Sequence, residues 1–129
     1  MESALRTSLI DWLRSDGELA TSLNAVDEEA PSPAPAPTLA IAASAAADWS
    51  TKTAQGREVR IALELLDRND DATRTATLAT RIEHRIATLP AVQQGLRVVV
   101  TQFLRSRAER RPRNLRAVLL EYRFKVLET

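Results

Sequence analysis

Val118, Leu120, Tyr122, Phe124 and Val126 fall at alternate positions near the end of the chain, with Leu119, Glu121, Arg123 and Lys125 between them. A helix carries its apolar side chains at every third or fourth position, whereas a strand sends successive side chains to opposite faces. The period of two makes Leu115 to about Leu127 a strand with one buried face. Val59, Ile61, Leu63 and Leu65 repeat the pattern against Glu58, Arg60 and Glu64. Two such strands need each other and a cover for their apolar face, which excludes an all-helical bundle.

The cover is legible at two places. Leu5, Leu9, Trp12 and Leu13 recur at helical spacing, with Ser3 in the N-cap position and Asp16-Gly17 as a stop. Leu19, Ala20 and Leu23 follow as a short helical turn. Asn69-Asp70-Asp71 reads as a turn and N-cap. From Ala72 to Leu89 the residues Ala72, Ala76, Ala79, Ile82, Ile86 and Leu89 make one face of a second helix, which ends before Pro90. Leu96 to about Arg105 is a further strand. Thr38 to Trp49 is almost entirely small residues and fits either a strand or a helix. The sequence thus predicts an α+β domain over residues 1–129, with an antiparallel sheet of about four strands. Two main helices pack on one face, in the order α-β-β-α-β-β. A four-stranded sheet has two edges, and the last strand, with little to blunt pairing over Ala117–Leu120, reads as one of them.

Between the first helix and the sheet runs a Pro/Ala-rich loop at about 27–37, Asp-Glu-Glu-Ala-Pro-Ser-Pro-Ala-Pro-Ala-Pro. Alternate prolines remove backbone donors and favour an extended path. Such a segment serves either as a linker within the fold or as an arm laid on a neighbouring subunit.

Charge is unevenly spread. Acidic and basic residues almost cancel over the whole chain, 17 against 18. Residues 1–37, however, carry two basic and seven acidic side chains, and residues 97–129 carry nine basic and three acidic. This polarity suits head-to-tail contact between copies, and it equally suits neutralisation within one copy. The densest cluster is Arg105, Arg107, Arg110, Arg111, Arg113 and Arg116, read as a basic hairpin loop between the last two strands. It could be a solvated tip, a contact to an acidic protein surface or a contact to nucleic-acid phosphates; it lacks the interleaved aromatics of a base-stacking site.

Several functions are poorly supported. Without cysteine there is neither a disulfide framework nor a thiolate nucleophile or ligand. His84, the one histidine, has no second histidine to complete a metal site and reads as a solvated helix residue. Asp70 and Asp71 read as capping acids. Gly17, Gly56 and Gly95 stand alone, so no phosphate-cradling loop can be drawn. These features predict a protein that is not an enzyme and that uses no cofactor or metal. No apolar run approaches the roughly 18 residues of a membrane span. Met1–Arg6 lacks the basic-then-apolar pattern of a signal peptide, so the chain is expected to be made and used in the cytoplasm.

The opening Met1-Glu2-Ser3-Ala4-Leu5-Arg6 with its aromatic-bearing helix through Leu13, the segment Asp48-Trp49-Ser50-Thr51-Lys52-Thr53, and the strand-helix-strand-strand remainder resemble the tail-completion and tail terminator proteins of siphophage-like tails and gene transfer agents. The Pro/Ala-rich stretch and the ending Leu65-Leu66-Asp67, where many members carry an aromatic, depart from that family. The resemblance implies a structural virion protein that forms a hexameric ring on the head-proximal end of the tail tube. There it would stop tube growth and join the tail to the neck. Implied partners are sister subunits, the tail tube protein, a neck connector or stopper protein, and DNA passing through the channel without sequence readout. The implied place is the tail-neck junction of a particle assembled in the bacterial cytoplasm, with no membrane contact. Interface candidates are the six arginines, together with Trp49 and Lys52 on a projecting loop. The alternative is a small nucleic-acid-binding module that uses the basic 105–116 hairpin.

Overall fold

The computed structural model describes all 129 residues. Its elements in chain order are α1 (Glu2–Arg14), α2 (Gly17–Ser22), β1 (Ala25–Asp27), β2 (Thr38–Asp48), β3 (Gly56–Arg68), α3 (Ala72–Ala87), β4 (Val92–Gln93), β5 (Leu96–Arg111) and β6 (Leu115–Glu128). They form a mixed α+β fold with one curled six-stranded sheet in the order β1-β2-β3-β6-β5-β4. The long elements α1, β2, β3, α3, β5 and β6 follow the expected order α-β-β-α-β-β, but the full order adds α2, β1 and β4, so the count of about four strands and the wholly antiparallel sheet are both corrected. β1 pairs parallel to β2 over 38–40, and β4 pairs antiparallel to β5 over 96–97. Pieces of two and three residues hold no period of their own, and tertiary pairing alone creates them.

β3 and β6 are the middle of the sheet, paired antiparallel from Gly56↔Leu127 to Arg68↔Leu115. The expectation that the last strand is an edge is therefore overturned: β6 has β3 on one side and β5 along its other. Val59, Ile61, Leu63 and Leu65 lie beside Leu120, Tyr122, Phe124 and their neighbours on the buried face. One apolar cluster draws on α1, α2, α3 and all of the strands except β4.

Both long helices cover that face. In α1 the buried residues are Leu5, Leu9, Ile10 and Leu13. Met1 rather than Ser3 is its N-cap, because the helix already begins at Glu2. In α3 the buried face is Thr75, Leu78, Ile82 and Ile86; Ala72 and Ala76 are exposed. The predicted stripe holds at Ile82, Ile86 and Leu89 and is one position off in the first turns, where Thr75 and Leu78 are buried, because alanine is equally at home on either face, whereas Leu78 is not. Asp71 caps α3 by accepting from the Arg74 amide at 3.0 Å.

The helices are tied by reciprocal contacts. The Trp12 indole N–H donates to the Arg85 carbonyl at 2.7 Å, and Arg85 Nε donates to the Trp12 carbonyl at 2.9 Å. The Arg85 guanidinium also lies 3.3 Å from the Trp12 ring centroid, a stacked cation–π contact. Asp16 caps α2 through the Leu19 amide and takes a two-nitrogen fork from Arg81 of α3. The hydrogen bond from Arg81 holds its carboxyl below the ordinary value despite burial.

Asp67, fully buried at the end of β3, anchors the start of α3. It accepts from Thr75 Oγ1 at 2.7 Å, Arg74 Nη2 at 3.0 Å and the Arg68 amide at 2.8 Å. Burial pushes its pKa up, but the bonds from Thr75, Arg74 and the Arg68 amide together outweigh it and leave the carboxyl below its usual range. A depressed folded value contributes stability above the ordinary pKa near 3.8, and that contribution is lost as pH falls through the folded value. Asp67→Asn should cost about 2–4 kcal/mol at neutral pH. In denaturant melts the gap from the parent protein should narrow below about pH 4.

At the β2–β3 hairpin, a Cβ on Gly56 would collide with the Trp49 carbonyl oxygen and stand 2.9 Å from Leu127 Cδ2. Gly56→Ala should therefore destabilise by about 1–3 kcal/mol, read as a shift of the denaturation midpoint at unchanged slope.

Candidate assembly interface

The arginine cluster does not sit on a loop. β5 continues to Arg111 and the turn is only Pro112-Arg113-Asn114, with Arg113 and Asn114 at positive φ. The expected basic hairpin loop is corrected accordingly: Arg105, Arg107, Arg110 and Arg111 are strand residues, and Arg116 begins β6. Polar composition suggested a loop, but a strand at the sheet margin can be polar on both faces because neither is covered.

Extension of the strand divides the cluster. Arg105, Arg107 and Arg111 alternate onto the face away from the helices, where they meet carboxylates. Arg105 pairs with Glu121, Arg107 lies 3.8 Å from Glu109, and Arg111 reaches Glu64 at 3.0 Å and Glu109 at 2.8 Å. The hydrogen bond that Arg111 donates to Glu109, and then that to Glu64, raise its pKa against the opposing effect of burial. Arg116 Nε donates to Asn69 Oδ1 at 3.1 Å. Arg123 extends the same lattice to Glu58 at 3.4 Å and to Gln102. Exposed Arg110 and Arg113 make no ion pair or side-chain hydrogen bond within the chain, so they are the wholly unpaired cations of the cluster.

Trp49 and Lys52 lie elsewhere. They belong to the loop between β2 and β3, at the end of the sheet where Gly56 pairs with Leu127, whereas the arginine turn is at the end where Arg68 pairs with Leu115. Twelve residues of strand separate the ends, roughly 40 Å. The loop is internally fastened: the Gly56 amide donates to Ser50 Oγ at 3.0 Å and the Thr51 amide to the Ala54 carbonyl at 2.8 Å. Trp49 is half-buried with the Lys125 ammonium 5.3 Å from its ring, and Lys52 is exposed.

The fold thus presents two separated polar ends and an uncovered, charge-paired sheet face. A shallow cavity of about 210 Å³ lies on that face, lined by Ala43, Ala45, Arg60, Ala62, Leu104 and Glu121 among others. No cluster of three His, Asp or Glu side chains is placed to hold a metal ion, and no helix is long and apolar enough to cross a membrane.

The family model for tail completion protein gp17 matches residues 7–127. The chain belongs to that family. A solved structure similar to it is a chain in the virion of a native gene transfer agent particle, 25% identical, with a TM-score of 0.80. The likeness covers 97% of this chain and 96% of that one. Comparison with curated proteins gives no match. Membership makes this a tail-completion protein, a structural component of a phage-like tail.

In this tail-completion protein the less visible feature is the state of the two outer long strands. β2 is buried from Thr38 to Ile41 and then exposed from Ala42 to Asp48, apart from half-exposed Ser44. β5 is exposed from Gln102 to Arg110 apart from Glu109, and Val99 and Phe103 are 47% and 44% exposed. Sequence reading missed this. Its available signal was the break in alternation at Val98-Val99-Val100 and Phe103-Leu104, where the register shifts against β6.

The division among the arginines is measurable in the isolated protein. Arg111→Ala should cost about 1 kcal/mol, because it leaves partly buried Glu64 unpaired. Arg110→Ala and Arg113→Ala should each stay within about 0.5 kcal/mol of the parent in the same urea melts.

Proposed function

We propose that this protein is the tail terminator of a phage-like particle, a single domain acting through binding rather than catalysis. Copies close into a ring, hexameric in our reading, on the head-proximal end of the tail tube. The ring stops tube growth by occupying the surface the next tube subunit would use, and it joins the tail to the neck connector or stopper. The observation that carries this reading is that both long outer strands run beyond the core, β2 exposed over Ala42–Asp48 apart from Ser44 and β5 over Gln102–Arg110 apart from Glu109. A strand in that state is completed by something laid against it in the assembly. Because β2 and β5 are different surfaces on opposite sides of one sheet, contact between them is heterologous, and its repetition closes a ring when the rotation permits. Family membership and the likeness to a chain of a gene transfer agent particle, across almost its whole length, support placement at the tail–neck junction.

The separated ends suit two neighbours. The arginine end, with Arg110 and Arg113 unpaired, fits an acidic protein surface, and the Trp49–Lys52 end forms the opposite docking surface. DNA crossing such a ring would be passed without sequence readout. The nucleic-acid-module alternative has less support, since four of the six arginines are already engaged by their own chain.

The test is light scattering and negative-stain microscopy of the purified protein over a wide concentration range, with and without preformed tail tubes. Closed rings, alone or on one end of the tube, are expected. A monomer that ignores the tube and binds DNA in a strongly salt-dependent manner would reject the terminator in favour of the nucleic-acid module.

A further inference from the structure

Resting on the ring reading, we infer that successive copies are joined by antiparallel pairing of the free edge of β2, Ala42–Asp48, with the free edge of β5 of the next copy, Val99–Arg105. The seam makes one continuous antiparallel sheet around the ring.

Backbone accounting leaves these two runs open. The outer edge of β2 is taken by β1 over Thr38–Ala40, and the Ile41 carbonyl accepts from the Ala30 amide at 2.9 Å. Beyond Ile41 nothing pairs with it until the hairpin. The outer edge of β5 is taken by β4 over Leu96–Arg97, and the Val98 amide donates to the Ala91 carbonyl at 2.7 Å. Beyond Val98 it is open to the turn. Such rows of unpaired donors and acceptors are the template for strand addition.

Polarity and level both fit. β2, β3, β6 and β5 alternate in direction, so four long strands per copy bring β5 against the next β2 antiparallel, as at every other step. Following the pairing across the sheet, Ala43 is level with Ala62, Glu121 and Arg105, and Ala45 with Arg60, Arg123 and Gln102. Asp48 is level with Arg57, Val126 and Val98. The free run of β2 therefore stands at the height of the free run of β5. The two short strands sit at opposite ends and leave the seam clear. The stagger needed to close a sheet shifts this match by a few residues and keeps the same runs opposed.

Side chains fit as well. The β2 run presents Ala42, Ala43, Ser44, Ala45, Ala46 and Ala47, which leave room for the bulk of Val99 and Phe103, each nearly half exposed. Above the seam β1 takes over as the outer strand, and Asp27, level with Ala40 and hence with Arg107, is followed by exposed Glu28 and Glu29. The Glu29 side chain is 84% exposed, and its ion pair with Arg6, at 3.7 Å, is longer than a hydrogen bond and leaves the carboxylate accessible. An acidic segment thus faces Arg105 and Arg107 of the adjacent copy, whose contacts to Glu121 and Glu109 leave guanidinium N–H groups free to take a second carboxylate. Charge therefore favours this seam over β2–β2 pairing, which would oppose two acidic segments, or β5–β5 pairing, which offers these arginines no new acid.

The chain has no cysteine, so engineered ones report unambiguously. Gln102→Cys would be combined in turn with Ala43→Cys, Ala45→Cys and Ala47→Cys. These three positions share its face and span two residues of stagger either way. Rings assembled on tail tubes would be oxidised and run without reductant. At least one combination should give a ladder of covalent oligomers up to the full ring, while each single-cysteine protein stays monomeric on the gel. Glu29→Arg should lower ring yield about tenfold and Arg107→Glu in the same chain should restore most of it. Rings visible by microscopy with none of the three crosslinks, or disulfide dimers from Ala45→Cys alone, would overturn the seam and leave the terminator reading standing. Absence of rings on tubes would remove both.

Discussion

The antiparallel ladder between β3 and β6 is the constraint on which the rest of the molecule depends. It runs from Gly56↔Leu127 to Arg68↔Leu115 and places the four apolar residues of β3 against their counterparts on β6. A slip of one residue would send Val59, Ile61, Leu63 and Leu65 to the charged face together. The loss of four buried aliphatic side chains, each worth about 2 kcal/mol, is comparable to the stability of a whole domain. Both ends of the ladder are pinned by features that tolerate little change: Gly56 under the Trp49 carbonyl at one, Asp67 with its bonds to Arg68, Arg74 and Thr75 at the other. The helix layer then has a fixed surface to cover, and the Trp12–Arg85 and Asp16–Arg81 contacts join its pieces to one another.

Legibility followed strength of pattern. β3, β6 and α1 were readable because their apolar residues are large and repeat with one period. In α3 the helix, its Asp71 cap and the buried Ile82, Ile86 and Leu89 were readable but the start of its buried face was not, since alanines at 72 and 76 mimic a stripe that Thr75 and Leu78 occupy. β2 was undecided because a run of alanines has no face, and it became a strand only through pairing with β3. The short strands β1 and β4 have no local cause. They form where the chain passes an edge that would otherwise be bare.

The proline-rich stretch is a related case. Composition favours an extended path and says nothing of where it goes. In the fold it turns back on its own chain: the Asn24 amide and side chain bond Pro37, Pro35 and Ala36 carbonyls, and Ser32 bonds Asp27. The acidic residues at its start are thereby held beside β1, at the margin of the sheet. For the candidate interface, residue types were legible and placement was not. The six arginines were visible as a cluster, but their partners, Glu121, Glu64 and Asn69, are brought to them by strands distant in sequence.

A monomer with two open edges risks uncontrolled strand addition, and the composition of those edges limits it. β2 carries alanine where most strands carry β-branched residues, so any one edge contact gains little from side-chain packing. β5 is interrupted at Val99 and Leu104 by register shifts, which bend the edge and break an even ladder. Its outer half carries arginines that repel a second copy of the same edge. Each pairing is therefore weak and selective. Weak contacts accumulate when several copies are held side by side, because each later contact forms within an assembly already in place and no longer draws copies from solution. An edge too weak to polymerise freely, yet specific for one partner, suits a subunit meant to close once on the end of a tube rather than to extend it.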